Sequence, residues 1–235
     1  MMSSVWLGFD PKEIDAYIVA VESIRRFNKS NIPIRGLILH DQIQNGNYTR
    51  PYRHMLGGLY DQISDSAMST EFSLTRFLTP LLAKTGIALY MDCDVMLRTD
   101  IKHLFDLMRD HYAVMCVKHK HEPKELIKMD DCLQLSYKRK NWSSVMLFNC
   151  DHPANKRLTL DMVNNFKGSD LHALCWLEDD VIGELDEKWN HLLGYSGKDK
   201  DPKIVHFTLG TPRVRDYYNH PLAEEWWEYL RAWAR

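Results

Sequence analysis

The run Ile87-Ala88-Leu89-Tyr90-Met91-Asp92-Cys93-Asp94-Val95-Met96-Leu97 reads as an apolar strand whose end carries two carboxylates one residue apart. A buried strand tolerates two acids only where something compensates their charge, because an unpaired buried carboxylate is expensive. Alternation along a strand predicts Asp92 and Asp94 on one side and Cys93 on the other. Two oxygen ligands at the carboxyl end of such a strand suit a hard divalent cation, Mn2+ or Mg2+, which usually completes its shell with phosphate oxygens. The plainer reading is a strand followed by an acidic turn, since D-x-D is common by chance.

Strand patterns alternate with helical ones along the chain, which predicts an α/β fold with a mostly parallel central sheet and crossover helices. Val5 to Phe9, Ile34 to Leu39, Tyr112 to Val117 and Ser144 to Phe148 are further strand candidates. Ile14, Tyr17, Ile18, Val21 and Ile24 recur at helical spacing, so a helix is expected to end near Asn28. Residues 41–70 are polar, with turn signals at Asn45-Gly46-Asn47 and Gly57-Gly58, and read as irregular. Leu74, Phe77, Leu78, Leu81 and Leu82 form a helical stripe that Pro80 is expected to bend or break. Residues 118–141 carry many charges and few large apolar side chains, as a mobile or an acceptor-facing insertion would.

Composition narrows the classes. With 235 residues and 45% hydrophobic content, the chain can bury one sizeable core, so a single domain over 1–235 is expected. A net charge of -2 gives no overall electrostatic footprint for nucleic acid. The start Met1-Met2-Ser3-Ser4-Val5-Trp6 has no basic flank, and no stretch approaches the ~20 apolar residues of a membrane span, so a soluble, cytoplasmic protein is expected. Cysteines 93, 116, 132, 150 and 175 form no C-x-x-C pair or zinc spacing, which fits unpaired thiols in a reducing compartment.

The Asp92-Cys93-Asp94 motif keeps informative company. Ser73-Leu74-Thr75-Arg76-Phe77-Leu78-Thr79-Pro80 precedes it, and Thr99-Asp100-Ile101-Lys102-His103-Leu104-Phe105 follows it. Trp142-Ser143-Ser144-Val145-Met146-Leu147-Phe148-Asn149, Trp189-Asn190 and Lys203-Ile204-Val205-His206-Phe207-Thr208-Leu209-Gly210 come later. In this order and spacing the chain resembles the retaining, nucleotide-sugar-dependent glycosyltransferases of the GT-A fold, most closely glycosyltransferase family eight. The resemblance runs from Val5 to about Pro212 and divides the chain into a donor-binding part near 1–117 and an acceptor-side, catalytic part near 118–235.

The resemblance implies a metal trio of Asp92, Asp94 and His206, although a lone His in an apolar strand is more often a core residue. The remaining ten histidines fit no part of the pattern. It also implies a donor site at Gly8-Phe9-Asp10, at Asp92-Cys93-Asp94, and at Gly210-Thr211, where backbone approaches the diphosphate. Asp10 is equally compatible with capping the helix that starts at Pro11. The family's lysine near Gly210 is absent, and Arg213 could supply that charge. Arg76 needs a partner in its apolar surroundings: the donor diphosphate by resemblance, or an ion pair with Asp92 or Asp94.

Catalysis falls by resemblance to Glu178-Asp179-Asp180, with Asp179 as nucleophile or cation stabiliser and Asp180 beside it. Front-face substitution, assisted by the leaving diphosphate, is the other mechanism, and an acidic helix start before Val181 is the plain alternative. Trp226, Leu230 and Trp233 share one face of a C-terminal helix, a pattern more often core than binding surface. The expected activity is hexose transfer from a nucleotide diphosphate sugar, UDP-linked, to a hydroxyl acceptor on a glycan, lipid, protein or modified nucleobase. Two other classes remain open. One is a sugar-nucleotide binding protein without turnover; the other is a metal-dependent phosphatase or nucleotidyltransferase using the same D-x-D.

Overall fold

A computed structural model describes residues 2–119, 139, 142–197 and 201–234. The insertion expected over 118–141 lies almost wholly outside the described residues. Twelve strands occur among those described, in chain order β1 Ser3–Gly8, β2 Ile34–Leu37, β3 Tyr52–Met55, β4 Gly58–Asp61, β5 Ser66–Met68, β6 Ile87–Met91, β7 Val95–Leu97, β8 Val114–Cys116, β9 Val145–Asn149, β10 Ile182–Glu184, β11 His191–Leu192 and β12 Ile204–His206.

The central sheet has the order β10-β8-β9-β6-β1-β2. The β1–β2, β1–β6 and β8–β10 pairs are parallel, whereas β9 runs antiparallel to both β6 and β8. The sheet is therefore mixed, because β9 enters reversed between two strands of common direction. Strand β6 reads as a continuous apolar run because both its faces are covered. Leu89 and Met91 pack with Val5, Leu7, Ala20, Ile24 and Leu147 on one face. Ala88 and Tyr90 pack with Leu37, Phe77, Val114 and Phe148 on the other.

The run from Ile87 to Leu97 is not one strand. The chain leaves the central sheet after Met91, passes through Asp92, Cys93 and Asp94, and joins a second sheet of order β11-β12-β7. Residues 41–70 also depart from the irregular reading, since β3, β4 and β5 form an antiparallel meander. Its strands are only three or four residues long; Leu59 and Met68 join the core on one side, and buried ionic contacts tie the rest. Arg50 Nε and Nη2 donate to Asp61 Oδ1 and Oδ2, each at 2.6 Å, and Nη1 donates to the carbonyls of Val163 and Phe166 at 3.1 and 2.6 Å.

The first long helix, Ile14–Phe27, ends one residue before Asn28. It buries Val19, Ala20 and Ile24 and lies against β7 and the C-terminal helix Ala223–Trp233. That C-terminal helix inserts Trp226 and Tyr229 among Val19, Met96, Val205 and Phe207. Trp233, expected on the same face, is 59% exposed. The stripe from Leu74 to Leu82 is interrupted just ahead of Pro80: the helix Phe72–Thr75 passes into the tighter turn Arg76–Leu78, and Pro80 lies in the first turn of the next helix, Thr79–Ala83, where its missing N–H costs nothing.

Candidate functional site

The site forms where the chain crosses between the two sheets. Asp92 N donates to Ser144 O at 2.9 Å, at the start of β9, and Phe207 N donates to Asp94 O at 2.8 Å, just after β12. The antiparallel β7–β12 ladder sets His206 opposite Val95. Ligand atoms of Asp92, Asp94 and His206 consequently lie within 4.8 Å of one another. Side-chain alternation in a single strand does not bring the two acids together; a change of sheet does.

Asp92 and His206 are each held by further contacts. Tyr90 Oη donates to Asp92 Oδ1 at 2.7 Å, and Arg76 Nη1 approaches the same oxygen at 3.1 Å. His206 Nδ1 lies 2.9 Å from Asn190 Oδ1, and Asn190 Nδ2 donates to Ser144 Oγ at 2.9 Å. Because an amide oxygen only accepts, Nδ1 must carry the proton when the ring is neutral, leaving the Nε2 lone pair facing Asp94. Nε2 is 3.0 Å from Asp94 Oδ1, yet that buried oxygen has no hydrogen-bond donor of acceptable angle among the described residues. Two carboxylates, an oriented imidazole and an orphaned oxygen between them fit a divalent cation.

Charge at the site is unevenly compensated. Burial pushes the pKa of Asp92 up and prevails over the neighbouring Arg76 guanidinium. Burial also acts on Asp94, but there His206 outweighs it and holds the carboxyl below its ordinary value. His206 is driven the opposite way: burial favours the neutral ring, and the Asp94 carboxylate overcomes this and raises its pKa.

Of the other expected donor residues, Gly8 lies against Tyr90, whose hydroxyl donates to Asp92. Gly8 has no room for a side chain, since a Cβ would meet Phe72 Cγ at 2.5 Å and Tyr90 Oη at 2.8 Å. The Phe9 ring packs edge-on against Tyr17 at 5.1 Å. Asp10 caps the turn Pro11–Glu13, with Oδ1 accepting from Lys12 N at 2.9 Å and Oδ2 from Glu71 N at 3.0 Å. Cys93 points away from the trio: its buried thiol donates to Glu13 Oε2 at 3.0 Å. Burial, and then Asp94, pushes Glu13 up to about 7. Gly210 has φ 139°, a conformation that favours glycine, and Thr211 Oγ1 accepts from Arg213 N at 3.4 Å. Arg213 itself is paired with Asp15 and lies over the Trp227 ring.

Asp179 and Asp180 are placed differently from the trio. They precede β10, which runs parallel to β8 and, through antiparallel β9, in the direction of β6. They therefore stand at the amino end of their strand, whereas Asp92 follows the carboxyl end of β6. Asp179 is 70% exposed and pairs with Arg139 Nη2 at 2.5 Å. Arg139 in turn lies 6.0 Å from the centre of the Trp142 ring, next in the chain to Ser143, whose carbonyl receives Arg76. The acidic patch is thus joined to the centre through Arg139 and the turn ahead of β9, not through the strand that follows it.

Several residues at the centre were not singled out from sequence. Tyr90, Ser143, Ser144 and Asn190 lay inside the quoted motifs without assigned roles, and His172 matched none. Ser143 Oγ is 2.7 Å from His172 Nδ1, and Ser143 O accepts from Arg76 Nη1 at 2.9 Å. Only a tertiary contact could have found His172, which follows Arg76 by nearly a hundred residues.

Comparison with known proteins agrees with this architecture. No protein-family model matches the sequence. Protein CDI of Arabidopsis thaliana is 40% identical over 228 residues, covering 94% of this chain and 83% of the relative. The chain belongs to the family of Protein CDI. General stress protein A of Bacillus subtilis is 25% identical over 200 residues, covering 73% of this chain and 69% of that protein. Among solved structures, an active-site mutant of LgtC aligns with TM-score 0.59 and 14% identity over 98% of this chain and 96% of its own. The bifunctional glycosyltransferase WbbM aligns with TM-score 0.58 and 15% identity over 97% of this chain, and GlyE of Streptococcus pneumoniae with 0.57 and 18% over the same share. This chain spans 51% of the WbbM chain and 59% of the GlyE chain. At such low identity these likenesses establish the fold, which is the GT-A glycosyltransferase fold. Among the described residues no helix is long and apolar enough to cross a membrane.

Proposed function

We propose that this protein is a metal-dependent glycosyltransferase that moves a hexose from a UDP-linked sugar to a hydroxyl acceptor with retention at the anomeric carbon. The observation that carries the reading is the convergence of Asp92, Asp94 and His206 at the carboxyl end of β6, beside Arg76, within a GT-A fold. Ligands of open α/β sheets bind in the crevice beyond the carboxyl ends of the strands, where these groups stand. LgtC, which shares the fold with TM-score 0.56, has been solved with donor and acceptor sugar analogs.

Asp92, Asp94 and His206 Nε2 would hold Mn2+ or Mg2+. When bound, the cation supplies positive charge to the diphosphate leaving group as the glycosidic bond breaks. The chain's own groups do the rest. Arg76 offers a fixed guanidinium to the diphosphate or the sugar, Asn190 fixes the ligating tautomer of His206, and Gly8 and Gly210 let backbone approach the nucleotide. Phe9 and Asp10 flank the base and ribose. The Arg139 guanidinium draws on the Asp179 carboxylate and makes it a poor nucleophile. Retention is therefore assigned to front-face substitution, in which the departing diphosphate takes the acceptor proton, and Asp179 and Asp180 act on the centre only through Arg139.

The test is a panel of nucleotide sugars, offered with Mn2+ and with a chelator, reading hydrolysis, transfer to added glycosides, and product anomericity by proton NMR. Metal-dependent release of UDP with an unchanged anomeric configuration is expected. Tight binding of a nucleotide sugar without any release or transfer would make the protein a binder rather than an enzyme.

A further inference from the structure

We propose that His172 is a positioning residue for Arg76, acting through Ser143 to fix the guanidinium that Asp92 and the donor diphosphate share. The diphosphate half of this statement rests on the proposed function; the Asp92 half does not. Three separate segments meet here. His172 ends the short helix Gly168–His172, Ser143 lies in the turn Trp142–Ser144 ahead of β9, and Arg76 opens the turn Arg76–Leu78. The hydrogen-bonded path runs from His172 Nδ1 to Ser143 Oγ at 2.7 Å, and from Ser143 O to Arg76 Nη1 at 2.9 Å. It continues from Arg76 Nη1 to Asp92, with a hydrogen bond to Oδ2 at 3.4 Å and an ion-pair contact to Oδ1 at 3.1 Å.

The ring also acts from the other side. It meets Phe77, the residue after Arg76, edge-on with centroids 5.2 Å apart, and Trp176 meets Phe77 likewise at 6.0 Å. One imidazole thereby touches both the side chain next to Arg76 and the hydroxyl of the residue whose carbonyl receives the guanidinium. An Arg side chain has several rotatable bonds, and holding it in one pose before ligand arrives removes an ordering cost from binding. A second cation at this place would repel Arg76. Burial, and then Arg76 itself, pushes His172 down to about 3, so the ring stays neutral at working pH.

The test compares His172→Leu, His172→Asn, Ser143→Ala and the Ser143→Ala/His172→Leu double variant, each checked by circular dichroism and melting. Mn2+ affinity is measured on the metal alone by EPR titration, and UDP-glucose is compared with uridine by calorimetry. His172→Leu is expected to weaken Mn2+ and UDP-glucose binding about tenfold while leaving uridine unchanged, the lower end of the loss that follows removal of a group outside the ligands themselves. His172→Asn, whose amide can replace Nδ1, should restore both to within about twofold, and the double variant should be no worse than the worse single one. Unchanged Mn2+ affinity in folded His172→Leu, or an Asn variant as impaired as Leu, overturns the proposal. If His172→Leu fails to fold, Ser143→Ala must show the same loss, and its absence overturns the proposal equally. Should the wild type bind Mn2+ but no nucleotide sugar, the sugar-transfer reading fails, and the His172 question is still decided on Mn2+.

Discussion

Asn190 Oδ1 lies 2.9 Å from His206 Nδ1, and this one contact determines which ring nitrogen is left to face Asp94. Asn190 is itself fully buried and anchored to Ser144, so the tautomer is set by elements on both sides of the site.

Replacing Asn190 should therefore affect metal binding without removing a ligand. Asn190→Ala is expected to lower Mn2+ affinity by roughly 10- to 100-fold, the usual loss when a ligand's orienting partner is removed. His206→Ala, Asp92→Asn and Asp94→Asn should lower it further. Titration of Mn2+ by EPR, alongside thermal melting to confirm the fold, checks this; Asn190→Ala with wild-type affinity would refute the tautomer argument.

The acidic patch before β10 should support the chemistry without forming a bond to the sugar. Asp179→Asn and Asp180→Asn are expected to keep Mn2+ affinity and to lose about tenfold or less in kcat/KM, whereas a true nucleophile would cost about a thousandfold or more. Steady-state kinetics decide. A near-complete loss, with rescue by azide giving inverted product, would make Asp179 the nucleophile.

His172 should leave a signature in acid stability. Its pKa is pushed down to about 3, by burial first and Arg76 second, while in the unfolded chain it stays near 6.5. The unfolded state alone takes up this proton between those values, so the contribution is intact above pH 6.5 and is lost progressively as pH falls toward 3. Each pH unit in that window costs about 1.4 kcal/mol. Urea melts from pH 7 to 5 should show a shallower fall in His172→Asn than in wild type, and parallel curves would refute the shift.

Arg50 carries a stability prediction. Its guanidinium grips Asp61 with two hydrogen bonds in an almost water-free position, so Arg50→Ala leaves a buried carboxylate without its counter-charge. The expected loss is about 3–5 kcal/mol in chemical denaturation, against about 0–1 kcal/mol for an exposed pair such as Lys102–Asp106. A double Arg50→Met/Asp61→Leu variant should recover much of it, because no isolated charge remains.

The cysteines test burial directly. The four described ones are free thiols, with Cys93, Cys116 and Cys150 buried and Cys175 exposed. Burial pushes Cys116 and Cys150 up to about 12. Of these four, only Cys175 is expected to react with a thiol reagent in the native protein, as mass spectrometry of alkylated peptides would show; early labelling of Cys116 or Cys150 would contradict the packing.

Local pattern in the sequence was enough to reveal the α/β class, the first helix and the main strands, because alternating and helical periodicities record which side of each element meets the core. It also singled out Asp92 and Asp94 as candidate metal ligands, since acids inside an apolar run are costly unless compensated; His206 joined them only through the resemblance to the GT-A glycosyltransferases. What it could not show is how distant segments meet. The crossing from β6 to β7, the antiparallel insertion of β9 and the meander around Arg50 depend on pairings between segments far apart, which leave no periodic trace. For the same reason His172 looked like any other histidine, and nothing tied Arg139 to Asp179. Both relationships were decided by contacts across the chain, Ser143 with His172 and Arg139 with the acidic patch, and those exist only once the chain is folded.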